Sequence, residues 1–453
     1  MYRLKIKHDA FSQELGTIVL PISLQFLMTA LVSVSDALML GLLDQTSMSS
    51  VSLATQVQFV FSLFVSGIAI GLGIMLAQYY GKNDRKAIEA VCSPALLINI
   101  IIGLIFTASA LLSPQGLMRI FTNEKELIIA GGEYLETVAL SYIFMAVSQI
   151  YLSQLRNTGR AKTASAISSY AMLLNIVGNF ILIFGLLGLP RMGIRGAALA
   201  TVLTRAFELA WSVAETLRPD SFRVRWHFMG MSLPLIKDFA YYTFPVLAAS
   251  LVWGVAFALH SVILGHLGGD AVAAYAVVSI TVQLLSCVLR GVGSAAGIMV
   301  GRVLGSGDLV LGKQYGIRFA KLSAIVGVCT GAGIMMLAPI IVRFSTLSSG
   351  AKTYILPMLI FIGFWVMAQS INHVVIDGVL GAGGDTYFDM YTNLVVMWCI
   401  SLPLGLIAAF VLNLGVIPVF ILVNLDEIIK LPTVIRRFRK YIWVRNITRE
   451  NIA

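Results

Sequence analysis

Long apolar stretches alternate with short polar breaks along almost the whole chain. A helix that crosses a bilayer needs roughly 20 mostly apolar residues, and each of these stretches reaches that length. The breaks are charged or rich in glycine and proline, which favour turns between helices. The pattern predicts twelve membrane-spanning helices near residues 12–43, 48–80, 88–112, 127–155, 163–188, 194–217, 238–266, 271–303, 313–338, 352–380, 388–412 and 415–438.

The composition is typical of a membrane protein and excludes the soluble classes. Apolar residues make up 58% of the chain and charged residues 12%, whereas soluble domains have about 45–50% and about 25%. The mean hydropathy is +0.88. The formal net charge of +10 does not indicate a nucleic-acid partner, because membrane proteins collect lysine and arginine on their cytoplasmic loops. We therefore predict a multi-pass protein of the cytoplasmic membrane.

The distribution of basic residues predicts the orientation in the membrane. With the N-terminus inside, most of the 32 lysines and arginines fall on cytoplasmic segments, in agreement with the positive-inside rule. The first apolar stretch continues without a small-residue cleavage site, so we expect the first helix to be retained. A C-terminal cluster of Arg436, Arg437, Arg439, Lys440 and Trp443 is typical of a segment that lies on anionic lipid headgroups. Both termini are therefore predicted to be cytoplasmic, with membrane lipids as partners.

The two halves of the chain repeat each other at a fixed distance. A shift of 224 residues aligns six pairs of glycines, among them Gly67 with Gly291. The segments GIMLAQYYGKND (73–84) and GIMVGRVLGSGD (297–308) match at this shift. Six spans in each half give both halves the same orientation in the membrane. The repeat predicts an N-terminal lobe at 1–217, a linker at 218–237, a C-terminal lobe at 238–440 and a cytoplasmic tail at 441–453.

The chain lacks the motifs that carry chemistry in enzymes and in ATP-driven pumps. It has no GxxxxGK[ST] phosphate-binding loop and no HExxH or GxSxG motif. The four cysteines lie singly in apolar stretches, without the spacing of a metal site. We therefore expect no enzymatic activity and no cofactor, and transport driven by an ion gradient is the simplest interpretation.

Several segments, taken in this order, resemble the multidrug and toxic compound extrusion (MATE) transporters. They are Pro21, Asp36 and Gly41 in the first helix, NIVGNFILIFG (175–185), GIRGAALAT (193–201), the repeated GIM segments, and VLGAGGDT (379–386). The resemblance covers the chain from about Leu15 to Arg439. It implies twelve helices in two lobes of six, arranged as a V around a central cavity. It also implies export of drug-like organic compounds in exchange for sodium ions or protons.

Asp36 is the candidate centre of a cation site. A carboxylate in the middle of an apolar helix is costly unless it is protonated, paired or bound to a cation. By the resemblance, Asp36 belongs to a cation site of the N-terminal lobe, and Asn175, Asn179 and Thr201 correspond to its partners. All four supply the oxygen ligands that hard cations prefer, and Asp36 and Asn179 would contact Na⁺. Many relatives have an acid where this chain has Asn179, so one carboxylate remains and both sodium and proton coupling stay open.

The second half offers a further candidate for a proton or substrate site. The repeat shift places His260 at the position of Asp36. His373 and Asp377 are four residues apart and share one face of the predicted tenth helix, and Arg290 lies within the predicted eighth helix. The alternative is a plain hydrogen-bonded pair that joins two helices.

The leading hypothesis is a cation-coupled antiporter that works by alternating access. Asp36 would alternate between a bound cation, Na⁺ or H⁺, and release, while a monomeric protein exports a small organic, drug-like or cationic substrate. In the alternative for Asp36, its carboxylate only joins two helices through a hydrogen bond. The rival functions are a flippase for a lipid-linked sugar or another amphiphile and, in another class, a receptor or scaffold that transports nothing.

Overall fold

The computed structural model describes residues 2–224, 232–345 and 347–450, except the side chains of residues 2–10. Within this part of the chain, helices joined by short turns make up the fold, and no β-strand forms. Ten helical segments among the described residues are long and apolar enough to cross a membrane. One of them, Leu140–Phe184, covers the end of the predicted fourth helix and most of the fifth. The prediction of an all-α membrane protein is confirmed.

The helices follow the predicted apolar stretches and end at the polar breaks. In the first half they are α1 (Tyr2–Gly41), α2 (Gln45–Gly81), α3 (Arg85–Leu112), α4 (Pro114–Arg119), α5 (Lys125–Val138), α6 (Leu140–Leu155), α7 (Ala161–Phe184) and α8 (Gly193–Thr216). In the second half they are α9 (Leu233–Gly265), α10 (Gly269–Leu285), α11 (Cys287–Gly305), α12 (Leu309–Phe344), α13 (Ser349–His373), α14 (Thr386–Asn393), α15 (Leu402–Leu406), α16 (Val416–Val423) and α17 (Asp426–Arg439). Wider π-helical turns at Val374–Leu380, Leu394–Ser401 and Ile407–Val411 continue the helices beside them.

The same helix start occurs in both halves, where the repeat aligns Asp84 with Asp308. Asp84 Oδ1 accepts a hydrogen bond from a backbone N–H of the first turn of α3 at 3.0 Å. Asp308 Oδ1 accepts the corresponding bond in α12 at 2.9 Å, so each carboxylate caps its helix. The residue before each cap has a positive φ, 60° for Asn83 and 87° for Gly307, which asparagine and glycine tolerate better than other residues. The repeat therefore extends to the local backbone.

Three of the predicted helices, the fourth, eighth and twelfth, are broken in the structure. The interruptions lie near Ala139, Ser286 and Asn424. Hydropathy gives no sign of the first two breaks, because apolar residues flank them on both sides. At the first break, the hydroxyl of Thr107 donates to the carbonyl of Ala139 at 3.1 Å. The backbone N–H of Tyr142 also donates to this carbonyl, at 3.2 Å, so the Thr107 hydroxyl adds a second hydrogen bond that joins α3 to this position.

Close packing divides the chain into two compact units. One contains Met1–Phe26, Gly81–Asn83 and Ala248–Thr448, and the other contains Leu27–Tyr80, Asp84–Leu247 and Arg449–Ala453. The division falls inside α1 and α9, whereas the repeat boundary falls between α8 and α9, because contacts define the units and sequence defines the repeat. The predicted lobes at 1–217 and 238–440 therefore stay a prediction. Residues 225–231 of the predicted linker and 451–453 of the predicted tail lie outside the described residues.

Each unit has its own apolar core. In the unit that holds most of the first half, Phe61 and Tyr142 are buried with ring centroids 5.0 Å apart. In the other unit, Phe420 is buried against Phe361 at 6.0 Å. Many other large apolar side chains, such as Leu20 and Met336, are exposed on the outside of the helices. That distribution suits a protein whose solvent is lipid, where an apolar surface carries no penalty.

Two residues of the predicted headgroup-binding cluster, Arg437 and Trp443, pack against other parts of the protein. Trp443 has 0% of its surface exposed, and its indole N–H donates to the carbonyl of Phe438 at 3.2 Å. Arg437 forms two hydrogen bonds of 2.8 Å with the Asp385 carboxylate. Gly383 permits this packing, because a Cβ there would lie 1.8 Å from the Trp443 carbonyl oxygen. The prediction that Trp443 lies on lipid headgroups is wrong. For the exposed Arg436, Arg439 and Lys440 the contact with headgroups stays a prediction.

Candidate functional site

Asp36 lies on α1 beside the asparagines of α7. The side-chain N–H of Asn179 donates to Asp36 Oδ1 at 2.6 Å. Within the described part of the chain, no lysine or arginine forms an ion pair with Asp36. The carboxylate is half-buried and therefore has an amide partner but no counter-charge.

The other predicted cation-site residues continue from Asn179 as one hydrogen-bonded chain. The side-chain N–H of Asn179 also lies 3.3 Å from Asn175 Oδ1. The side-chain N–H of Asn175 in turn donates to the hydroxyl oxygen of Thr201 at 3.5 Å, and this hydroxyl donates to the carbonyl of Ala197 at 3.1 Å. The structure thus brings together all four residues that the resemblance indicated, from α1, α7 and α8.

Small residues let α7 and α8 approach closely enough for these contacts. A Cβ at Gly196 of α8 would lie 2.6 Å from the carbonyl oxygen of Leu182 of α7. One at Gly178 would lie 3.3 Å from the Cβ of Ala200. The segment GIRGAALAT supplies the small side chains that membrane helices use at such crossings. This segment therefore allows the close approach of α7 and α8 and also supplies the Thr201 hydroxyl.

We expect Gly196→Ala to lower the stability of the protein by about 1–3 kcal/mol, because the new methyl group would meet backbone atoms that cannot rotate away. The thermal unfolding midpoint of the purified protein in detergent measures this effect. Gly333→Ala is the matched control, since a Cβ at Gly333 of α12 has no atom within 4 Å. Equal midpoints for the two variants would contradict the close crossing of α7 and α8.

Sequence reasoning missed Tyr134, which belongs to the same group. Tyr134 lies on α5, is buried, forms a side-chain hydrogen bond with Thr201 and interacts electrostatically with Asp36. An ion pair of 3.2 Å between Arg195 and Glu133 also joins α8 to α5. No spacing along the chain could have indicated Tyr134, because its proximity to Asp36 depends on how α5 packs against α8.

The group has the composition of a site for a small monovalent cation. Its side chains present carboxylate, amide and hydroxyl oxygens, which are the ligands of hard cations. Asn179 is 1% exposed, and its Oδ1 has no hydrogen-bond partner among the described residues. A buried carbonyl oxygen without a partner is costly and suits a bound cation. No group of three or more His, Cys, Asp or Glu side chains that could hold a metal ion occurs in the described ranges. In this group the negative charge comes from Asp36.

The second-half candidates fall into two groups. His373 Nδ1 lies 2.6 Å from Asp377 Oδ2, and Arg290 interacts electrostatically with Asp377 while its guanidinium lies 5.9 Å from the ring centroid of Phe26. His260 is placed elsewhere, with Asp426 and Lys430 as its electrostatic neighbours. The structure therefore brings His373 and Asp377 into contact, with Arg290 as an electrostatic neighbour of Asp377. The electrostatic neighbours of His260 are instead residues of α17.

Sequence reasoning also missed a buried polar group in the second half. Its members are Asn372, Asp426, Glu427 and Lys430, from α13 and α17. A signal was present, because the predicted span 415–438 contains three charged residues in the segment DEIIK (426–430), which a lipid-facing helix would avoid.

A family model described as MatE matches residues 21–181 and again residues 245–407. The two matches begin 224 residues apart, which is the shift of the glycine repeat. The chain is 26% identical over 449 residues to the probable multidrug resistance protein NorM of Thermotoga maritima, with 97% of this chain and 95% of the relative covered. It is 24% identical to the multidrug resistance protein PmpM of Pseudomonas aeruginosa, with 87% and 83% covered. It is 22% identical to the uncharacterized transporter YisQ of Bacillus subtilis, with 91% and 90% covered.

Solved structures share the fold at lower sequence identity. One is an outward-facing multidrug resistance MATE family transporter of the MOP superfamily, with a TM-score of 0.85, 17% identity, and 94% of this chain and 96% of that chain covered. Another is a MOP superfamily transporter of Pyrococcus furiosus whose binding pocket is described as having reverse polarity, with a TM-score of 0.84, 18% identity, and 94% and 95% covered. At these identities the likeness concerns the fold alone.

Proposed function

The chain belongs to the MatE family of membrane transporters, and we propose that it exports drug-like organic compounds in exchange for a monovalent cation that binds at Asp36. The names of the relatives from Thermotoga maritima and Pseudomonas aeruginosa, both multidrug resistance proteins, support the class of substrate. In this proposal both termini face the cytoplasm and the cation moves inward while the compound moves outward.

The lone carboxylate of Asp36 carries the proposal. It lies in an apolar helix with an asparagine as its hydrogen-bond donor at 2.6 Å, and intramembrane acids of this kind are usually functional. When a cation or a proton neutralises Asp36, the cost of keeping the carboxylate away from water falls. The ligand therefore stabilises whichever conformation buries Asp36 more deeply, and its release favours the other conformation.

The residues around Asp36 could bind either coupling ion, but sodium and a proton would use different atoms. A sodium ion would take the Asp36 carboxylate together with Asn179 Oδ1 and the Thr201 hydroxyl, which are hard oxygen ligands. A proton would need the carboxylate alone, and the N–H of Asn179 would remain its hydrogen-bond donor. The two cases differ in an experiment, because sodium supports exchange without a pH difference across the membrane.

A flippase for lipid-linked sugars is less well supported than an antiporter. Such a substrate carries phosphate groups, which call for unpaired basic side chains in the membrane. Arg205 of α8 forms an ion pair of 2.7 Å with Glu208. Glu208 also accepts a hydrogen bond of 3.0 Å from Ser168, so this arginine is already committed to a structural contact.

The purified protein in liposomes tests the proposal with ethidium, a cationic dye, as the probe. A sodium gradient at equal pH and a pH gradient at equal sodium are imposed in separate experiments, with the membrane potential clamped by potassium and valinomycin. We expect ethidium to move in the direction opposite to the flow of either sodium ions or protons. The gradient that drives this movement identifies the coupling ion. Protein-free liposomes are the control for leakage. No movement under either gradient would contradict the antiporter and favour a lipid-linked substrate.

A further inference from the structure

The fifth and sixth helices of the first half, α7 and α8, are antiparallel and are in contact from one end to the other. Near one end, a Cβ at Gly196 of α8 would lie 2.6 Å from the carbonyl oxygen of Leu182 of α7. At the other end, Arg160, which directly precedes α7, forms an ion pair of 2.6 Å with Glu215 in the last turn of α8. The asparagines and the threonine of the cation site lie between these two contacts.

The ion pair between Arg160 and Glu215 is a close contact between helix ends. One guanidinium nitrogen of Arg160 donates to Glu215 Oε1 at 2.6 Å, and the other donates to the Glu215 carbonyl at 3.1 Å. Glu215 is 4% exposed, and charge-assisted hydrogen bonds are strong when water is excluded. Arg218 also pairs with Glu215, at 3.2 Å, but it is exposed and belongs to the same chain segment as Glu215. Arg160 is therefore the partner that joins Glu215 to α7.

The polar contacts between α7 and α8 share one register. Ser168 of α7 donates to Glu208 of α8 at 3.0 Å, and Asn175 of α7 donates to Thr201 of α8 at 3.5 Å. These two contacts are seven residues apart on both helices. The ion pair at the helix ends follows after eight residues on α7 and seven on α8. Because both helices rise about 1.5 Å per residue, all three contacts form in a single axial alignment of α7 and α8.

The second half contains the same ion pair with the charges exchanged. Arg437, in the last turn of the sixth helix α17, forms two hydrogen bonds of 2.8 Å with Asp385, which directly precedes the fifth helix α14. The shift of 224 residues places Arg160 one residue from Asp385 and Glu215 two residues from Arg437. Both halves thus join the start of their fifth helix to the end of their sixth by an arginine and a carboxylate. The place requires an ion pair and accepts either polarity.

The alignment of α7 with α8 sets the geometry of the cation site. The hydrogen bond from Asn175 to Thr201, at 3.5 Å, is at the limit for such a bond, so a small axial displacement breaks it. Asn179, which donates to Asp36 at 2.6 Å, lies on α7 as well and would be displaced together with Asn175. Binding sites require their ligands to be held within about 0.5 Å of the productive geometry. A contact far from Asp36 can therefore affect cation binding through the register of two helices.

We propose that Arg160 and Glu215 are positioning residues for the cation site, because their ion pair fixes the register of α7 on α8 and so holds Asn175 against Thr201. Neither residue contacts the cation, since each lies about 20 Å along its helix from the site. Exchange of the two charges preserves this role, because the second half has that arrangement and because an acid at a helix start and an arginine at a helix end suit the helix dipoles. This proposal rests on the proposed cation binding at Asp36.

The concentration of coupling ion that gives half-maximal ethidium movement in liposomes tests this role. Glu215→Gln removes the ion pair, and we expect this concentration of sodium ions or protons to rise by about two- to thirtyfold, the range for residues that act through a packed network. Arg160→Asp combined with Glu215→Arg should restore the native value. Arg218→Gln is the matched control, because it removes an arginine from Glu215 without a change in the contact with α7.

Two results in liposomes would overturn the proposal. A contact that only stabilises the fold would lower the thermal unfolding midpoint of Glu215→Gln in detergent and leave its half-maximal ion concentration at the native value. A charge-exchanged variant that folds but needs as much coupling ion as Glu215→Gln would exclude the ion pair as the cause of the effect.

Spin labels measure the register without any transport. Leu174→Cys on α7 and Leu203→Cys on α8, both at exposed positions, carry the labels in a protein whose four native cysteines are replaced by serine. Electron paramagnetic resonance should give one narrow distance distribution with the native pair, a broader one in Glu215→Gln and a narrow one in the charge-exchanged variant. Equal distributions in all three would overturn the fixed register. If ethidium movement by the native protein responds to neither gradient, the proposed function fails, while the spin labels still decide whether the ion pair fixes the register.

Discussion

Asp36→Asn should reduce gradient-driven ethidium movement in liposomes by at least about tenfold, since a conformational coupling of the usual size is lost with the ligand. Asparagine keeps the shape of the side chain but has no charge to bind a cation and no site for a proton. The Asn179 amide, which donates to Asp36 at 2.6 Å, can still donate to the new side-chain oxygen. The variant should therefore fold and insert normally while the exchange stops.

Asp44→Asn is the matched control for this experiment. Asp44 lies eight residues further along, is exposed, and accepts a hydrogen bond from the backbone N–H of Ser47 at 2.6 Å at the start of α2. Asparagine serves almost equally well as a helix cap, so this variant should transport like the native protein. Native rates in Asp36→Asn, with an unchanged elution profile and thermal midpoint, would reduce Asp36 to a hydrogen bond between helices.

Lys430→Met should destabilise the protein by about 3–5 kcal/mol, the usual cost of removing one partner from a buried ion pair. Methionine fills most of the lysine volume, so the loss comes from charge and not from a cavity. Asp426 and Glu427 would be left buried without the cation that now lies 3.4 and 3.2 Å from them. The measurement is the thermal unfolding midpoint in detergent at neutral pH.

Two further variants separate charge from packing in this result. Lys430→Met combined with Glu427→Gln should recover part of the lost stability, because one of the two uncompensated charges is gone. Lys162→Met, at an exposed lysine, should leave the midpoint nearly unchanged. If Lys430→Met unfolds at the native temperature, the two buried carboxylates do not depend on Lys430 for the stability of the fold.

The features that the sequence predicted correctly depend on local or periodic properties. The length of the apolar stretches predicted a membrane protein and nearly all of its helices, because the free energy of transferring a side chain into lipid depends mainly on that side chain's own chemistry. The 224-residue shift indicated the duplication, which both the family match and the capped turns at Asp84 and Asp308 reflect. Asn175 and Asn179 share a face because they are four residues apart on one helix.

The features that only the tertiary structure decided involve partners far apart in sequence or a change in helix direction. Tyr134 reaches Thr201, and Asn372 reaches Glu427, through helix crossings that hydropathy does not encode. The Thr107 hydroxyl of α3 donates to the Ala139 carbonyl, a contact between helices that the apolar pattern does not indicate. Trp443, which looks like a lipid-facing residue in the sequence, is buried because Gly383 leaves room for it. The sequence alone therefore determined which segments are apolar, helical and repeated, whereas packing decided which polar groups meet, since each such contact depends on the positions of at least two helices.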